Sequence, residues 1–239
     1  MSSASKSQLP ADARKTVVHE TFQGFVTDMI ATRLAVGTGA QAFLVEQNPH
    51  WVTPSHFHLE QQFQVVVAGE GSIGRHAAKP FMVHYAAPET GYGPITAGPD
   101  GISYLTLRAM ADTGAWYLHK PGSRERMRPG LKREQAHASP GVEDGAAREV
   151  LIAPRSDGLA AHLVHLSDGA PMELPAGAPD GGRFYVFTRG TARAGDASLE
   201  ALGVMFAAAD EAPTIIAGPE GADVLVLQFP RADASRPHS

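Results

Sequence analysis

The chain contains no cysteine, which excludes disulfides, thiolate metal sites and a cysteine nucleophile. Charge is sparse too: 19% of the 239 residues are charged and the formal net charge is −5. That balance gives no electrostatic reason to bind nucleic acid or an anionic membrane. No apolar run approaches the roughly 20 residues needed to span a bilayer as a helix. The opening Met1-Ser-Ser-Ala-Ser-Lys-Ser is polar and lacks the apolar centre of a secretory signal, so a cytoplasmic location is expected. No Gly-x-Ser-x-Gly elbow suggests an esterase-type nucleophile, and no long amphipathic helical pattern is present. What remains is short apolar runs punctuated by 25 glycines and 18 prolines, with 43% hydrophobic residues. These features point to an all-β protein, a sandwich or barrel.

The chain is also self-similar. Pro54 aligns with Pro175, Phe63-Gln-Val-Val-Val with Phe184-Tyr-Val-Phe-Thr, and Gly69 with Gly190, all at an offset of 121. Ala97-Gly-Pro-Asp-Gly-Ile-Ser-Tyr-Leu-Thr-Leu aligns with Ala217-Gly-Pro-Glu-Gly-Ala-Asp-Val-Leu-Val-Leu at an offset of 120. Matched turns and strands in the same order imply two similar β-domains. The expected organisation is a flexible arm over 1–16, a first domain over 17–112 and a connector over 113–148. A second domain over 149–233 and a tail over 234–239 complete it. The connector's Lys120, Arg124, Arg126, Arg128, Lys132 and Arg133 read as a solvated face balanced by Glu125 and Glu134.

The chemistry is concentrated in Pro54-Ser-His-Phe-His-Leu-Glu-Gln-Gln-Phe-Gln-Val-Val-Val-Ala-Gly-Glu-Gly71. Side chains alternate along an extended strand, so His56 and His58 share a face. Two convergent imidazoles suit a divalent metal. Gln62, with Glu60 as its rival, is the candidate third ligand. Val65 to Val67 suit a strand, and Gly69-Glu-Gly71 is expected to make a tight turn. Gly69 to Gly74 also matches a dinucleotide-binding glycine pattern, but Pro80 leaves no room for the helix that pattern requires.

This stretch resembles the first motif of the cupin superfamily: His-x-His, three residues, Glu, six residues, Gly. Here His56, His58 and Gly69 match, and Gln62 replaces the glutamate. The resemblance implies two jelly-roll barrels in tandem, a bicupin, with a metal site in the first. At the offset of 121, His56, His58 and Gln62 fall on Gly177, Pro179 and Arg183, so the second barrel is expected to carry no metal. The second family motif would add a histidine near Ala87-Pro-Glu-Thr-Gly-Tyr92. None stands there, which leaves Tyr92, His84 and His76 as candidates to complete the site.

The implied cofactor is one first-row divalent ion, Fe, Mn, Ni or Zn. A neutral amide ligand leaves the site more positive and favours an anionic or enolate-like oxygen. Tyr92 and Glu60 are the acid–base candidates. The expected function is a metal-dependent enzyme acting on a small oxygen-bearing substrate. The alternative is a non-enzymatic small-molecule or metal-binding cupin. Neither needs nucleic acid or membrane, and the resemblance makes a homodimer plausible. His162 and His165, three apart, read as ordinary strand residues on opposite faces.

Overall fold

The computed structural model describes residues 1–30, 38–141, 147–173 and 181–231. Pro175, Gly177 and Pro179 of the repeat comparison lie outside the described residues. Two compact units form, one from Ala11–Ser139 and one from Met1–Pro10 with Pro140–Ser239.

Strand β1 (Ser2–Ala4) belongs to the second unit. The first unit opens with β2 (Arg14–His19), β3 (Phe22–Ile30), β4 (Gln41–Gln47), β5 (Val52–Thr53) and β6 (His56–Phe57). It continues with β7 (Gln62–Ile73), β8 (His76–Ala78), β9 (Val83–Ala86), β10 (Ile95–Arg108), β11 (Trp116–Tyr117) and β12 (Gln135–Ala138). Its main sheet runs β12-β9-β7-β10-β4-β3-β2, and β11 pairs with β6. The second unit adds β13 (Arg148–Ile152), β14 (Ala160–Leu166), β15 (Arg183–Ala194), β16 (Ala197–Glu200), β17 (Val204–Ala207) and β18 (Ile215–Gln228). Its sheet order is β1-β17-β15-β18-β14-β13. Both units are built from antiparallel strands in the jelly-roll arrangement that the resemblance implies.

The repeat is literal in the backbone. β15 follows β7 by 121 residues at both ends, β18 follows β10 by 120, and the burial patterns nearly coincide. Each unit has its own apolar core: Val66, Ile73, Met82, Ile95 and Ile102 in the first, Tyr185, Phe187, Leu199, Ile215 and Val226 in the second.

Three expectations are corrected. Gly69-Glu-Gly71 is not a hairpin turn; β7 runs through it, with a register shift against β10. Gly69 has φ +69°, and a Cβ there would lie 2.3 Å from the carbonyl oxygen of Gly101, so the glycine makes a close strand crossing. The supposed arm is ordered by pairing: Ser2–Ala4 bonds to β17, and Arg14–Thr16 already belong to β2. Residues 113–138 are no free connector, because β11 bonds to β6 and β12 to β9. The last two corrections have one cause. An edge strand with unpaired backbone groups orders a neighbouring segment whose side chains carry little signal.

The candidate site in the first jelly roll

β6 and the loop before β10 build the site. His56 and Tyr92 exchange backbone hydrogen bonds, N to O at 3.0 and 2.9 Å, which sets the tyrosine beside the histidine. The loop is held at its other end by buried Glu89, whose amide donates to the His58 carbonyl at 2.7 Å. The Glu89 carboxylate accepts from the Arg128 amide and Nε, both at 2.6 Å, and Arg133 Nε donates to the Glu89 carbonyl. Two of the basic residues read as a solvated face therefore pin the loop that carries Tyr92.

The sequence candidates His56, His58, Gln62 and Tyr92 come together. His56 Nδ1 donates to the Pro54 carbonyl at 2.8 Å, leaving Nε2 to accept the Tyr92 hydroxyl at 2.8 Å. The Tyr92 oxygen accepts from the Gln62 amide nitrogen at 2.6 Å. The rings of His56 and His58 lie edge to face with centroids 5.3 Å apart. Glu60 is buried in the bend between β6 and β7 and acts on the site through its field on Arg108.

Two residues escaped the sequence reading. Arg108, at the end of β10, donates from Nε and Nη2 to the Gln62 oxygen at 3.2 and 2.9 Å and from Nη1 to Gln41 at 2.7 Å. Its Nη2 also lies 3.0 Å from His58 Nδ1 and 3.3 Å from His58 Nε2. Asp112 accepts from His58 Nδ1 at 2.7 Å and from the amides of Leu59 and Gly114. An acceptor-only carboxylate fixes the His58 tautomer with its proton on Nδ1. A signal for Arg108 did exist: Gln62 and Arg108 correspond to Arg183 and Gln228, the same pair exchanged.

Burial dominates the electrostatics. It lowers His56 to about 3, with His58 adding to the effect. It lowers His58 to about 4, with Arg108 adding and Asp112 opposing. Both rings are neutral at pH 7, with lone pairs available. Burial raises the Tyr92 phenol well above its ordinary value, so it stays protonated. Burial also lowers the Arg108 guanidinium, with Asp112 opposing. Burial alone would raise the Asp112 carboxyl, but the His58 hydrogen bond and Arg108 carry it below its ordinary value.

His76 does not join this group, whereas the His84 ring lies against Tyr92 with centroids 4.9 Å apart. The His84 nitrogens lie 2.8 Å and 3.3 Å from the side-chain oxygens of Gln64 and Gln135, of which a neutral ring can donate to one. Its ring also stacks on His137, which in turn stacks on His76. A pocket of about 180 Å³ opens onto the site, with His56, His58, Tyr92 and Arg108 at its polar end and Val17, Phe22, Val26, Phe43 and Val45 as apolar wall.

The donor set has part of what a divalent ion needs. Each histidine spends Nδ1–H on an acceptor, a backbone carbonyl or a carboxylate, as metal-ligating histidines do. The His56 Nε2 lone pair meets the Tyr92 O–H, while Arg108 Nη2 lies beside both ring nitrogens of His58. An ion on His56 would take the place of the Tyr92 proton, and one on His58 would have the Arg108 guanidinium as its neighbour. Among the described residues no three His, Cys, Asp or Glu side chains are arranged so that they could together hold a metal ion. The residues thus fit an open site with two imidazoles and neutral oxygens, not a closed one.

No family model matches the sequence, and neither does any curated protein. Solved structures do share the fold. A candidate dioxygenase from Nostoc punctiforme is 13% identical over 94% of this chain and 79% of its own, with a TM-score of 0.58. Bacillus subtilis oxalate decarboxylase, studied for its Mn(II) centres, is 15% identical over 97% and 78%, with a TM-score of 0.58. Escherichia coli pirin YhhW, solved with nickel(II), is 10% identical over 97% and 99%, with a TM-score of 0.59. The fold is the cupin jelly roll.

Proposed function

We propose that the chain is a bicupin whose first barrel holds one divalent ion at His56 and His58 and acts as an enzyme on a small oxygen-bearing ligand. The observation carrying this reading is the paired tautomers: Pro54 and Asp112 fix both Nδ1 protons and leave an Nε2 lone pair on each of two rings that line the pocket. Cupin-fold neighbours described with Mn(II) and nickel(II) support it. An ion bound there supplies Lewis-acid polarisation of a ligand oxygen.

The protein's own groups do the rest. Tyr92 stays a phenol, so it donates a hydrogen bond or a proton instead of acting as a base. Gln62 orients Tyr92 through its amide nitrogen and Arg108 through its oxygen. Asp112 positions His58. A non-enzymatic binder is the second reading, favoured because Arg108 already occupies the Gln62 oxygen that would otherwise be free for an ion.

Elemental analysis and calorimetric titration with Mn(II) and Ni(II) test the assignment. One equivalent should bind, and His56→Ala with His58→Ala should weaken it by about 100-fold or more. Undiminished binding in that double variant would refute the site.

A further inference from the structure

We propose that the pocket's ligand is a small organic carboxylate, its anionic end against Arg108 and a single-ring or short branched apolar body against Phe22, Val26, Phe43 and Val45. This deepens the reading of the pocket as a ligand site. Arg108 is 3% exposed. Every hydrogen bond it makes among the described residues goes to a neutral group: Gln41, Gln62 and the His58 ring. No carboxylate among those residues forms an ion pair with it, and burying a guanidinium so is costly.

The two carboxylates that do stabilise it through their field, Asp112 and Glu60, do not line the pocket. Asp112 is moreover committed to His58 and two backbone amides. The pocket thus presents one buried cation and no buried anion to whatever enters. A carboxylate matches a guanidinium in charge and in planar geometry better than any neutral oxygen does.

The rest of the pocket selects the body. Its wall is aliphatic and aromatic, and Phe43 already lies 5.4 Å from the guanidinium carbon. An apolar cavity of roughly 150 Å³ admits a benzene ring, and this pocket measures about 180 Å³. One ring with its carboxylate therefore fits.

Calorimetry on the full chain with benzoate, benzamide and acetate tests the proposal, each in protein of known metal content. Benzoate should bind about tenfold more tightly than benzamide. Arg108→Gln should erase that difference and Arg108→Lys should keep part of it. Phe43→Ala should weaken benzoate and leave acetate unchanged. Equal affinities for benzoate and benzamide in the wild type would overturn the proposal without any variant having to fold. A full preference surviving in Arg108→Gln, or acetate binding as tightly as benzoate, would do the same. Metal content separates this idea from the metal reading. Ion-free protein that prefers benzoate keeps the former and sinks the latter, and metal-loaded protein with no preference does the opposite.

Discussion

The two jelly rolls place the same buried pair at the same register and exchange its members. In the first, Gln62 on β7 accepts from Arg108 on β10; in the second, Arg183 on β15 donates to Gln228 on β18 at 3.0 Å. Around that pair the barrels diverge. Gln64 and His84 of the first correspond to Tyr185 and Met205 of the second, and Phe43 corresponds by register to His162. The backbone fold tolerates both versions because strand pairing is carried by main-chain bonds, while the inward side chains are free to become a polar site or an apolar core. Structural duplication and chemical duplication are thus separate matters in this chain.

Acid should break the comparison most visibly. In the first unit His56, His58, His84 and His137 are held at about 3, 4, 3 and 4 against an ordinary 6.5, in each case by burial first. Among the described residues of the second unit only His162 is held low, again by burial. A base held low when folded takes up a proton more readily when unfolded. Stability from keeping these rings neutral is therefore complete above about pH 6.5 and is lost as pH falls towards 4 and 3. Hydrogen exchange should show residues 41–108 losing protection before residues 160–228 as pH drops through this window. The reverse order would contradict the stated burial.

Exchanging the pair sharpens the equivalence. Gln62→Arg alone sets two guanidiniums together in the first barrel and should cost about 3–5 kcal/mol in urea unfolding. Adding Arg108→Gln copies the second barrel's arrangement and should recover most of that loss. A double variant as unstable as the single would show that the two sites are not interchangeable.

The smallest effect should be the most symmetric. Gly69 and Gly190 have φ +69° and +71°, and a Cβ at each would meet the carbonyl oxygen of Gly101 or Gly221 at 2.3 or 2.0 Å. Gly69→Ala and Gly190→Ala should each cost about 1–3 kcal/mol by thermal or urea unfolding. Losses differing by more than about 2 kcal/mol would mean the crossings are not alike.

Much of this was legible in the residues themselves. The aligned blocks marked β7, β10, β15 and β18. Alternation along an extended segment brought His56 and His58 together, and the family spacing to Gly69 singled out Gln62, which bonds to Tyr92 and Arg108. Tyr92 stands beside them, in the place where a fourth ligand was sought. His162 and His165 fall on opposite faces, one buried and one exposed, as a three-residue step on a strand requires.

Only the tertiary structure decided the rest. Arg108 at the end of an apolar strand looks like a surface charge until its partners appear 46 to 67 residues away. Asp112 lies at the edge of what looked like a connector, and nothing near it in sequence shows that it holds His58. His84 is a ligand candidate by sequence, and only the fold sets its ring against Tyr92 and His137 with its nitrogens beside Gln64 and Gln135. Periodicity along a chain reveals which face a side chain takes. Which groups meet across strands is set by register and packing, which a local pattern does not encode.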